Sequence, residues 1–76
     1  MTKQEFQIFI GKRIKQLREE RNISQVELAH LCEFERSNMS RIEMGNTCPS
    51  SYTLYKIAQK LQVEVFELLK FEDVSD

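Results

Sequence analysis

The chain has 76 residues, of which 30% are charged and 41% hydrophobic, and its formal net charge is −1. This length allows one domain with a single modest core, and the balance of charged and apolar residues excludes a disordered chain. No apolar run approaches the ~20 residues that cross a bilayer, the N-terminus lacks a secretory pattern, and two cysteines, Cys32 and Cys48, make no disulfide framework; the expectation is a reduced, cytoplasmic protein. Net acidity counts against a nucleic-acid partner, but the charge is uneven. Residues 1–61 carry ten Lys and Arg against seven Asp and Glu, a net +3, whereas residues 62–76 carry one Lys against five acids, a net −4. The core is expected over residues 6–70, with an acidic tail over 72–76.

Taken in chain order, the pattern is helical throughout, with no competing strand signal. Thr2 and Glu5 make a capping box that opens a first helix over about residues 3–21, with Phe6, Ile10, Ile14 and Leu17 as its buried stripe. Gly11 inside it points to close packing against a neighbour. Asn22 is the stop. Ser24 and Glu27 make a second capping box, opening a short helix over about residues 25–32 with Leu28, Ala29 and Cys32 inward. Glu33-Phe34-Glu35 is a tight turn. A third helix spans about residues 36–44 and is closed by Gly45. Asn46 to Pro49 form a loop, and Ser50 or Ser51 caps a fourth helix that runs to Leu61, with Leu54, Ile57, Ala58 and Leu61 inward. Residues 65–69 make a fifth short helix.

Two short helices joined by a three- or four-residue turn form a helix-turn-helix arrangement. At about 100° per residue, Arg36, Ser37, Ser40, Arg41 and Met44 share one arc of the second of these helices about 140° wide, and Met39 and Ile42 lie on the opposite side. Asn38 and Glu43 fall at the borders. An exposed arc of Arg and Ser suits the major groove, where Arg pairs bidentately with guanine. An ordinary solvated face would account for the same residues on a lone helix; their place in the helix-turn-helix favours DNA contact. Gln25 stands at a helix N-terminus, where backbone N–H groups and the dipole favour a phosphate. Asn46 and Thr47 follow the reading helix and are candidates for backbone contact or simple turn formation. Val65, Phe66, Leu69 and Phe71 exceed what so small a core needs; core packing is one reading and a two-fold dimer seam the other. His30, Cys32 and Cys48 match no metal spacing, and no nucleophile–base pair or phosphate-cradling loop appears, so neither a metal, a cofactor nor an enzyme activity is expected.

The segments Ser24-Gln25-Val26-Glu27-Leu28-Ala29 and Ser40-Arg41-Ile42-Glu43-x-Gly45 resemble the phage-repressor-like helix-turn-helix regulators, a family of Cro-like and repressor-like proteins that includes restriction–modification controllers. Pro49-Ser50, Leu54, Lys56-Ile57-Ala58, Leu61, Val63 and Leu68-Leu69 are similar to its last two helices. The resemblance covers about residues 10–69. It implies an all-α, five-helix, lambda-repressor-like domain acting as a homodimer on a roughly palindromic operator in double-stranded DNA. It further implies base contacts from Arg36, Ser37 and Arg41, base or backbone contacts from Ser40 and Asn38, a phosphate contact from Gln25, and a scaffold salt bridge between Arg18 and Glu43. No membrane, metal or small-molecule effector is implied. Glu33 stands where the family turn usually has Gly, so the turn is either strained or built differently. Glu35 replaces a usual Ser or Thr, and Gln62 and Glu64 replace Gly and Ser. The rival reading is a protein-interaction module, antitoxin-like or an adaptor, on the same scaffold; an RNA-binding domain lacks aromatic stacking residues on the polar arc.

Overall fold

Both capping boxes read from the sequence are formed. The Thr2 hydroxyl accepts from Glu5 N–H and the Glu5 carboxylate accepts from Thr2 N–H, starting helix α1 (Lys3–Glu20). Ser24 and Glu27 do the same for α2 (Gln25–Cys32). Glu35 precedes α3 (Arg36–Glu43) without a side-chain capping bond, and Ser50 caps α4 (Ser51–Leu61). The computed structural model describes residues 1–71, so the expected acidic tail over 72–76 lies outside the described residues. All regular structure among them is helical.

The four helices end alike. Each is followed by a residue in the left-handed region, at Asn22 (φ 56), Glu33 (φ 61), Gly45 (φ 78) and Gln62 (φ 61). The next N–H reaches back to the last turn, as in Ile23 to Arg18 O, Phe34 to Ala29 O, Asn46 to Arg41 O and Val63 to Ala58 O. This closure satisfies carbonyls that a helix end would otherwise leave without partners. In three of the four cases the closing residue is apolar: Ile23, Phe34 and Val63 all pack against the core. Their burial explains how Glu33 and Gln62 hold a conformation that usually falls to glycine. The turn after α2 therefore keeps the geometry that glycine would give, with a carboxylate side chain in its place.

The fifth helix is corrected. Residues Val65–Leu69 form a 3₁₀ helix, not an α-helix. The segment is only five residues long and has no side-chain cap. The Glu67 carbonyl is taken from outside by the Arg13 guanidinium, whose Nε donates to it at 2.6 Å. A tight i→i+3 turn is what so short a run supports.

The core draws on every element: Ile10, Ile14, Leu28, Cys32, Met39, Ile57, Leu61 and Leu68 are sealed from solvent. Phe6 is half-buried rather than fully within the stripe, and Phe9 is buried in its place. Gly11 is the point of closest helix contact. A Cβ there would stand 2.5 Å from the Ile42 carbonyl oxygen and nearer still to that of Glu43, so α1 and α3 meet backbone to backbone. No described helix is long and apolar enough to cross a membrane.

Candidate nucleic-acid interface

The turn 33–35 sets α3 against α1 and α2 with its apolar side inward. Met39 and Ile42 are buried, and Arg36, Ser37, Arg41 and Met44 are exposed. Ser40 is half-buried, its hydroxyl 3.7 Å from the Met44 sulfur, and Asn38 is half-buried at the border. Neither the Arg36 nor the Arg41 guanidinium has an ion-pair or hydrogen-bond partner among the described residues. The outward arc therefore presents two uncommitted forks of five donors each, a geometry matched to guanine edges and to phosphate. Asn46 is exposed and Thr47 half-buried, both just past the end of α3.

Behind the arc lies a buried polar network. Arg18 Nε donates to Glu43 Oε2 at 2.7 Å and Arg18 Nη2 to Glu43 Oε1 at 3.0 Å, a two-pronged pair between α1 and α3. Their side chains are 10% and 3% exposed, so the pair is shielded from water and salt. Arg18 Nη1 also donates to the Ile23 carbonyl at 2.9 Å. The hydrogen bonds to Glu43 push the Arg18 pKa up, outweighing the opposing effect of burial, so this guanidinium stays charged. Gln25 joins the network, its Nε2 donating to Glu43 Oε1 at 3.1 Å. One carboxylate thus ties the first, second and third helices together. The sequence could not display the Gln25 bond, because it spans two elements and a tertiary approach. Just past the same end of α3, Gln7 Nε2 donates to the Gly45 carbonyl at 3.0 Å.

The residues read as a dimer seam are dispersed. Phe66 is 58% exposed, with the Lys70 ammonium 5.8 Å from its ring centre. Val65 and Leu69 are half-buried against the core. Phe71 stacks on Phe9 with ring centres 4.4 Å apart and so contributes to its own molecule. Sequence reading missed Arg13, which is buried and joins α1 to the 3₁₀ helix through the Glu67 carbonyl and, at 3.2 Å, its carboxylate. The signal was its place between Ile10 and Leu17 on the inward stripe. Of the soft metal ligands, Cys32 is buried and His30 and Cys48 are exposed; the described residues hold no cluster of three His, Cys, Asp or Glu able to bind a metal ion.

Comparison with known proteins agrees with the helix-turn-helix fold. The helix-turn-helix domain family matches residues 11–74. The chain is 39% identical over 56 residues to an immunity repressor protein of Bacillus phage phi105, covering 74% of this chain and 39% of the phage protein, so it spans well under half the length of that relative. The structure of the restriction–modification controller protein C.AhdI from Aeromonas hydrophila is similar with a TM-score of 0.78 at 33% identity, covering 80% of this chain and 92% of that one. SinR, a master regulator for biofilm formation solved in complex with DNA, is similar with a TM-score of 0.75 at 42% identity, covering 80% of this chain and 98% of that one.

Proposed function

Because the chain belongs to the helix-turn-helix domain family of phage-repressor-like transcriptional regulators, we propose that it binds double-stranded DNA sequence-specifically, as a homodimer on a roughly palindromic operator. Residues 1–76 act as one DNA-binding unit. The observation that carries this reading is the outward arc of α3, where Arg36 and Arg41 are exposed and unpaired among the described residues while Met39 and Ile42 anchor the helix from behind. Arg36, Ser37 and Arg41 read base edges in the major groove, with Ser40 and Asn38 at bases or backbone. Gln25, Asn46 and Thr47 grip phosphates on either side and fix the register. Arg18 and Glu43 are scaffold.

Two copies related by a two-fold axis place their reading helices one DNA turn apart, about 34 Å. Support for self-association comes from the exposed Phe66, next in the chain to Val65, which lines an apolar cleft with Tyr55, Ala58, Gln59, Val63 and Glu64. An exposed aromatic knob next to an open apolar hollow allows a self-complementary contact. Leu69 and Phe71, also candidates for the seam, pack on the core and on Phe9 within one molecule and lend it no separate support.

Selection from a random pool of DNA duplexes tests the proposal. The expected outcome is one enriched sequence with two-fold symmetry, bound with an affinity that falls steeply with salt as counterions are released. Arg36→Ala and Arg41→Ala each relax preference at one position, by about 1–3 kcal/mol of lost discrimination. Absence of any enriched sequence at low salt refutes it and favours the protein-interaction reading. Exposed Glu33 and Glu35 at the start of α3 point towards that second reading, since both repel phosphate.

A further inference from the structure

We propose that Glu43 is a positioning residue for the DNA-backbone contact of Gln25, and that Arg18 keeps this carboxylate from repelling the phosphate that Gln25 grips. The proposal rests on the DNA-binding reading and assigns to a buried residue a part in the grip itself. Glu43 lies on the inward face of α3, yet its Oε1 accepts from two directions: Arg18 Nη2 at 3.0 Å and Gln25 Nε2 at 3.1 Å. A carboxylate has no proton to give, so Gln25 can face it only with its nitrogen. An unconstrained amide flips between two nearly isosteric orientations, and one of them turns oxygen towards whatever the nitrogen met. Here the flip is fixed by charge. One N–H of Nε2 is held by Glu43 and the second remains for an outside acceptor.

That second N–H does not stand alone. Gln25 is the first residue of α2, and Ser24 caps Glu27 N–H through its hydroxyl. The N–H groups of Gln25 and Val26 have no intrahelical acceptor, as at any helix start. Two backbone donors and one oriented side-chain donor therefore gather at the same end of α2, and all three suit a phosphate oxygen. A bare carboxylate one hydrogen bond behind them would oppose an incoming anion. The two-pronged bond from Arg18, at 2.7 and 3.0 Å, cancels that charge locally. The ion pair thus has two consequences: it seats α3, and it lets a carboxylate orient a phosphate donor without repelling the phosphate.

The test is a double-mutant cycle on DNA binding, with a duplex recovered from a random pool by the wild-type protein as probe. Gln25→Met and Glu43→Gln are each expected to weaken binding about tenfold, the scale of one hydrogen bond to a charged group. The double variant is expected to bind no more weakly than Gln25→Met alone, because without the Gln25 amide residue 43 has nothing left to orient. Losses that multiply to about a hundredfold, or wild-type affinity in Glu43→Gln, overturn the proposal. If Glu43→Gln does not fold, amide exchange in the wild type decides. One Gln25 side-chain amide proton is then protected in the free protein and the other becomes protected only when duplex is added. Two freely exchanging protons in the free protein, or no new protection on binding, overturn it. A pool from which the wild type retains nothing overturns the DNA reading and this proposal together, whereas the other adverse outcomes overturn this one alone.

Discussion

α3 and the 3₁₀ helix both pack on α1, but by different chemistry. α3 meets α1 backbone to backbone at Gly11, and its C-terminal end is pinned twice, by the Arg18–Glu43 pair and, just beyond it, by Gln7 on the Gly45 carbonyl. The 3₁₀ helix inserts one fully buried side chain, Leu68, and is held through Arg13 on Glu67, whose carboxylate also meets the Lys70 ammonium at 3.4 Å. It leaves Phe66 exposed. Directional bonds hold the C-terminal end of α3. The 3₁₀ helix keeps the Phe66 ring outside. The two elements thus differ in kind: α3 is seated by close backbone approach and an ion pair sealed from water, the 3₁₀ helix by one apolar side chain and a partly exposed ion pair.

The largest way to break this contrast is Arg18→Ala. It leaves Glu43 buried and unpaired, at a cost of about 3–5 kcal/mol. A small domain has only about 5–15 kcal/mol in all, so urea unfolding should show a large share of its stability gone. A wild-type unfolding curve would mean that α3 is seated by apolar packing alone. A smaller effect is expected from Arg13→Met, about 1–2 kcal/mol, because the bond to the Glu67 carbonyl is lost while the apolar stem is kept. Hydrogen exchange should then quicken over residues 65–69 and stay unchanged in α3; equal quickening of both would show one cooperative unit in place of two. The smallest change sharpens the comparison from the other side. Glu33→Gly relieves a left-handed residue in the turn that aims α3, and should stabilise by about 1 kcal/mol. In a domain of this size that raises the melting temperature by roughly 4–8 °C. A lower melting temperature would show that the carboxylate has a compensating contact.

The helix starts were legible because their signals are local. Thr2 with Glu5, Ser24 with Glu27, and Ser50 each satisfy donors within three residues of themselves. The helix ends were legible only in part. Asn22 and Gly45 belong to residue types that tolerate positive φ, and they announced their stops. Glu33 and Gln62 do not, since their conformation follows from the burial of Phe34 and Val63 one residue later. Five residues from Val65 to Leu69 carry too little periodicity to separate an α-helix from a 3₁₀ helix, and the Arg13 bond to the Glu67 carbonyl comes from 54 positions away. The polar arc of α3 followed from spacing alone, because a helix with two inward apolar anchors has one outward side. The network behind it did not. Arg13 occupies a core position with a charged residue, and Gln25 bonds across 18 positions to a carboxylate on another helix. Hydrophobic patterning registers neither.

The inward anchors of α3, Met39, Ile42 and Glu43, share no side chain with the outward set of Arg36, Ser37 and Arg41. Mount and address are written in separate letters of one eight-residue word. On the proposed DNA-binding reading, new outward letters on the same frame would change the sequence bound without touching the buried anchors.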